Sequence, residues 1–133
     1  MLIDGAHNPP AAAALRQELD RLDAQTPPQP GAKRRWLIAM QRHKAGDALL
    51  GLLLQPGDAV RMLPLPEHSS WSSAEIEAAL SAHNPALAAA VELEASSGDL
   101  RSDLDWLVQS DVLPVACGSL YLVAQLLPLL PPD

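Results

Sequence analysis

Short apolar runs alternate along the chain with longer segments whose apolar positions recur at helical spacing, and this alternation predicts βαβ units feeding a parallel sheet. Met1 to Ile3 reads as the end of a strand. Pro9 to Ala24 follows as a helix with Ala12, Leu15, Leu19 and Leu22 on one face. After a Pro- and Gly-rich loop over Thr26 to Ala32, Trp36 to Met40 reads as a buried strand. Gly46 to Leu54 is a helix ended by Pro56-Gly57, and Ala59 to Leu63 is the third strand. Ser72 and Glu75 have the spacing of a capping box, so a helix is expected from there to about Ala82, stopped by Asn84-Pro85. In Ala86 to Ser97 the alanines favour helix, but Val91 to Glu94 alternate as a strand does, and the strand is preferred. Asp99 to Gln109 reads as a helix, Val112 to Ala116 as a buried strand and Ser119 to Leu127 as a last helix.

Right-handed crossovers between these strands give an α/β, Rossmann-like three-layer sandwich. Its mostly parallel sheet of five or six strands carries helices on both faces. A chain of 133 residues fits one such domain, residues 1–133. In such sheets the loops leaving the carboxyl ends of the strands surround the ligand crevice.

Composition narrows the picture. Ala and Leu supply most of the 48% apolar fraction and Phe is absent, so the core is expected to be aliphatic. A net charge of −7 argues against a nucleic-acid partner, which needs Lys and Arg for phosphates. The single basic run, Lys33-Arg34-Arg35, is expected to be a solvated strand edge. The Leu-rich stretches are too short or too Pro-broken for the ~20 apolar residues of a membrane span. With one cysteine and no secretory pattern at the start of the sequence, the expected location is the cytoplasm.

The polar residues just after the strands are Asp4 and His7, then Gln41, His43 and Lys44, then Glu67 and His68, and last Cys117 and Ser119. Three of the four histidines therefore fall at the expected ligand edge. In Asp4-Gly5-Ala6-His7-Asn8-Pro9, capping accounts for Asn8 and Pro9 and a tight turn for Gly5, while Asp4 and His7 bracket that turn as candidate ligand groups. Ser119 is placed to cap the last helix, where exposed N–H groups can hold a carboxylate or phosphate. Lys44 at a helix start can meet a phosphate or simply be solvated. Cys117 has no charged neighbour in sequence to activate it and reads as a packing residue. The spacing of His7, His43, His68 and Cys117 matches no compact zinc pattern, so no metal site is expected. No P-loop and no Gly-x-Gly-x-x-Gly after a strand is present.

Two segments carry a family resemblance. Leu2-Ile3-Asp4-Gly5-Ala6-His7-Asn8-Pro9 followed by an Ala-rich helix, and Cys117-Gly118-Ser119-Leu120-Tyr121-Leu122-Val123 after the last strand, resemble the C-terminal domain of folylpolyglutamate synthase and its bifunctional relative dihydrofolate synthase, of the Mur ligase family. His43-Lys44 resembles the family's Lys-Asp turn, with Ala45 in place of the Asp. The resemblance implies an ATP-dependent, ADP-forming ligase that joins L-glutamate to the γ-carboxylate of folates through an acyl phosphate. ATP and Mg²⁺ are then held mainly by an N-terminal P-loop domain in cis, absent from this chain, and the isolated domain is inactive. It also implies that Asp4 binds the nucleotide and that His7 and Ser119 bind glutamate, with Lys44 at a phosphate or at the domain interface. The resemblance spans the whole chain, and it implies that the chain corresponds to the last third or so of such an enzyme.

Two other readings stand beside this one. A stand-alone Rossmann-like binding or signalling module is opposed by Leu63-Pro64-Leu65-Pro66, where a receiver needs a phosphorylatable Asp. Another Mur-type ligase would share the fold and differ in substrate.

Overall fold

The computed structural model describes residues 1–66 and 69–131. Within them a five-stranded, wholly parallel sheet runs in the order β1-β5-β2-β3-β4. The strands are β1 (Leu2–Asp4), β2 (Arg35–Ile38), β3 (Ala59–Met62), β4 (Glu92–Ala95) and β5 (Val115–Cys117). The helices are α1 (Pro9–Gln25), α2 (Gly46–Leu53), α3 (Ser73–His83), α4 (Pro85–Ala90), α5 (Leu100–Leu107) and α6 (Leu120–Leu126), the last running into a 3₁₀ turn at Leu127–Leu129.

The expected starts of these helices are borne out. Asn8 accepts a hydrogen bond from the Ala11 N–H at 2.9 Å ahead of Pro9, and both halves of the Ser72/Glu75 capping box form. Asp99 caps α5 and Ser119 caps α6. Pro85 departs from expectation. It ends α3, yet its fixed φ and missing N–H suit the first position of a new helix, so Asn84 closes α3 and caps α4. Ala86 to Ser97 therefore holds both the helix and the strand that its residues separately favour. The last strand begins at Val115 rather than Val112, since Pro114 has no N–H to give the ladder and enters it only by accepting from the Leu2 N–H.

Strand alternation divides the core into two layers. Trp36, Ile38, Val60, Met62, Val115 and Cys117 face α1, α2, α3 and α4. Leu37, Ala39 and Ala116 face α5 and α6 through Leu104, Leu107, Leu122 and Leu126. The division follows from handedness: β1 to β2, β2 to β3 and β3 to β4 step one way across the sheet, and β4 to β5 steps back across two strands. Right-handed crossovers must put the returning α5 on the opposite face.

The basic run is solvated only at Lys33. β2 is an interior strand, and Arg34 is 4% exposed, paired with Asp23 at 2.7 Å and donating to the Leu113 carbonyl. Nearby Asp58 accepts from Trp36 Nε1 and the Gln55 N–H, but its burial outweighs these bonds and raises its carboxyl above the usual range. Arg35 and Arg61 both stack on Trp106 of α5, and Arg61 pairs with the buried Asp103 at 3.0 Å and with Glu94 at 3.1 Å. Among the described residues, no helix is long and apolar enough to cross a membrane.

Candidate functional site

The loop after β5 leads to α6 on one face, whereas the loops after its neighbours β1 and β2 lead to α1 and α2 on the other. That reversal opens a crevice at the carboxyl ends of the three strands, where ligands of open α/β sheets bind.

A cavity of about 310 Å³ occupies this position. It is lined by His7 from the first loop, Gln41 and Lys44 from the second, Leu65 beyond β3, and Gly118 to Tyr121 from the last. Three residues singled out from the sequence, His7, Lys44 and Ser119, thus meet although they lie more than a hundred positions apart at the extremes. Asp4 is not in the wall. It ends β1 opposite Cys117, and its Oδ1 accepts the Ala6 N–H at 2.7 Å, which folds the turn that carries His7.

The His7 ring is tied at Nδ1, 2.8 Å from the Gly5 carbonyl. A carbonyl only accepts, so Nδ1 carries the proton and Nε2 is the nitrogen left for a ligand. The Ser119 hydroxyl accepts from the Tyr121 N–H at 3.1 Å, which leaves its own proton to give. Lys44 is fixed through its backbone: its N–H donates to Gln41, and its carbonyl accepts from Gly46 and from Trp71 Nε1. Trp71 also carries Arg42, whose guanidinium lies 3.8 Å from the ring centroid and pairs with Glu75.

Glycines join the two sequence motifs. Gly118 has φ +104°, and a Cβ there would come within 2.5 Å of the Ala39 carbonyl oxygen, so a side chain is excluded by conformation and by space. A Cβ on Gly5 would approach Leu120 to 2.7 Å, which shows how closely the first loop lies under the last helix.

Arg42 and His43 lie on the exposed outer side of the second loop, where they line a shallower cavity with Gln41 and Ser69. Glu67 and His68 fall outside the described residues. Cys117 is fully buried, and burial, helped by the charge of Asp4, pushes its thiol up to about 12; it stays protonated and packs, as expected. Among the described residues no three His, Cys, Asp or Glu side chains converge as metal ligands. Sequence reasoning gave no role to Tyr121 or Leu65, because nothing local marks an aromatic on a helix or a Leu in a Pro-rich loop as a cavity wall.

Residues 1–129 match the family model of the dihydrofolate synthetase C-terminal domain. A search of curated proteins finds no match. Among solved structures, a Mycobacterium tuberculosis folylpolyglutamate synthase complexed with ADP and AMPPCP is 19% identical, with a TM-score of 0.65 over 98% of this chain and 30% of its own. A bifunctional folylpolyglutamate synthase/dihydrofolate synthase from Yersinia pestis, complexed with AMPPNP and Mn ion, is 22% identical, with a TM-score of 0.65 over 94% of this chain and 27% of its own. A bifunctional enzyme of the same description with Mn, AMPPNP and L-glutamate bound is 26% identical, with a TM-score of 0.63 and the same coverage. The chain thus spans under a third of the length of each of these structures.

Proposed function

Since this chain belongs to the dihydrofolate synthetase C-terminal domain family, we propose that residues 1–133 form the amino-acid-binding domain of an ATP-dependent ligase that adds L-glutamate to folates or their pteroate precursor in the cytoplasm. The observation that carries this reading is the meeting of the two terminal motifs around one cavity, lined by His7, Gln41, Lys44 and Ser119, at the sheet's topological switch.

In the proposed reaction a carboxylate oxygen of the acceptor attacks the γ-phosphorus of ATP and ADP leaves, giving an acyl phosphate. The amino nitrogen of L-glutamate attacks the acyl carbon, inorganic phosphate departs with the C–O bonding pair, and the nitrogen gives up a proton. Activation is needed because a free carboxylate has no adequate leaving group. The Ser119 hydroxyl donates to a glutamate carboxylate, and His7 Nε2 meets the same amino acid as an acceptor when the ring is neutral and as a donor when it is protonated. Lys44 supplies a positive charge on the same wall, for the transferring phosphate or for the facing domain. Asp4 orients the first loop and contacts the nucleotide at its ribose. L-Glutamate bound to one structural neighbour supports the amino-acid assignment.

ATP and Mg²⁺ belong mainly to a P-loop domain that works with this one in cis. The described residues offer neither a phosphate cradle nor a converging set of metal ligands. Closure of the two domains then excludes water from the acyl phosphate. The stand-alone module reading has no comparable support, since β3 runs into Leu63 and Pro64 rather than an acidic residue.

Alanine substitutions in the longer enzyme test these roles. His7→Ala and Ser119→Ala are expected to raise the KM for glutamate by about tenfold or more, as loss of a hydrogen bond to a charged group predicts. Asp4→Ala is expected to weaken ATP use chiefly. Unchanged kinetics in all three would overturn the assignment.

A further inference from the structure

Lys44 stands on a turn that its own neighbours do not secure. Ala45, at the N-cap position of α2, has φ −77° and ψ 69° and a side chain that caps nothing. These angles, with the Gly46 N–H donating to the Lys44 carbonyl at 2.8 Å, make Lys44 to Gly46 an inverse γ-turn. One such bond around an alanine leaves the direction of the lysine loosely set.

The missing constraint comes from the segment ahead of α3. The Arg42 N–H donates to the Ser69 carbonyl at 2.7 Å and the Trp71 N–H to the Met40 carbonyl at 3.0 Å, which ties the two stretches side by side. The buried Trp71 indole then lies against the start of α2, where its Nε1 donates to the Lys44 carbonyl at 3.1 Å and takes the second lone pair of that oxygen. The fit has no slack: a Cβ on Gly46 would come within 2.7 Å of the same Nε1 and 2.9 Å of Ile76. Arg42 lies over the ring, its guanidinium 3.8 Å from the centroid, and is held there by Glu75 of the α3 capping box. Arg42 is thus engaged by the indole, whereas Lys44 is on the cavity wall.

We propose that Trp71 is a positioning residue for phosphoryl transfer, its indole N–H holding the Lys44 turn so that the ammonium group meets the transferring phosphate. This rests on the reading of Lys44 as the cation for that phosphate. Trp71 does not line the cavity, so it acts on substrate through Lys44 alone. Charge on the phosphate is redistributed in the transition state, and a displaced Lys44 therefore lowers kcat rather than glutamate binding.

The test is a double-mutant cycle in the longer enzyme, read as kcat and as the KM for glutamate. Trp71→Phe keeps a ring in place and removes the N–H. It is expected to lower kcat by about tenfold and to leave the KM for glutamate within about twofold. In a Lys44→Ala background the same substitution is expected to change kcat by less than about twofold, because the ammonium group it positions is gone. A merely structural Trp71 would lower kcat by the same factor in both backgrounds. Arg42→Gln, at an exposed position, removes the cation over the ring and is expected to act in the same direction, so it takes the place of Trp71→Phe in the cycle should that variant fail to fold. An unimpaired Lys44→Ala enzyme would overturn both the reading of Lys44 and this proposal. A lowered kcat in Lys44→Ala, with a Trp71→Phe effect that is absent, equal in both backgrounds or confined to the KM for glutamate, would overturn this proposal and leave the functional reading standing.

Discussion

Asp103→Ala is expected to lower the free energy of unfolding by about 3–5 kcal/mol, the usual loss when one partner of a buried ion pair is removed. Asp103 is fully buried on α5, and its two oxygens gather Arg61 from β3, the Ser96 hydroxyl and the Ser97 N–H. Without it the two serine donors lose their acceptor. Arg61 keeps only the more exposed Glu94 and the face of Trp106. Urea denaturation of the wild-type and variant chains measures the difference; a loss under about 1 kcal/mol would show that Glu94 and water replace the carboxylate, the limit set by exposed pairs. The same group makes stability depend on pH. Burial pushes the Asp103 carboxyl up, but the hydrogen bonds from Ser96, Ser97 and Arg61 outweigh burial and hold it below its usual value. A depressed folded value means the unfolded chain binds the proton more readily. The contribution is complete above the ordinary carboxylate range and is lost as pH falls through the folded value, so the variant's unfolding curve should be flatter in acid.

The second large effect is expected at Gly118. Gly118→Ala combines a positive φ, a strain of about 1–3 kcal/mol for a side chain, with the overlap of its Cβ and the Ala39 carbonyl oxygen. Gly31→Ala provides the control. That glycine also has a positive φ, of +81°, but a Cβ there would meet no atom within 4 Å. The stability difference between the two variants isolates the contact at Ala39, and a Gly118 variant no less stable than the Gly31 variant would contradict it. Relief of the overlap has to move the segment carrying Ser119 away from β2, so Gly118→Ala should also raise the KM for glutamate in the longer enzyme.

The segments legible in the sequence were those whose signals are local. Asn8-Pro9, the Ser72/Glu75 box and the apolar spacing of α1 specify helix starts and faces without help from distant residues. What was illegible depends on residues brought from afar. Arg34 belongs to a basic run of the kind usually solvated, and only the fold supplies Asp23 from α1 and the Leu113 carbonyl to hold it inside. Insertion of β5 between β1 and β2 is a non-local pairing with no mark in either strand, yet it creates the switch point and so the cavity. The candidate site follows the same division. His7, Lys44 and Ser119 are recognisable as polar residues after strands, while Leu65 and Tyr121, which complete the cavity wall, are identified only once the loop after β3 and α6 are packed.

Glutamate-dependent ADP release decides whether this chain is half of a ligase site. The assay compares the 133-residue chain alone with the longer polypeptide in which it is joined to a P-loop domain, each given ATP, Mg²⁺, a pteroate or folate acceptor and L-glutamate. Release that requires both acceptor and glutamate is expected from the joined protein, and none from the chain alone. Turnover by the isolated chain, or a joined protein whose ADP release ignores glutamate, would contradict it.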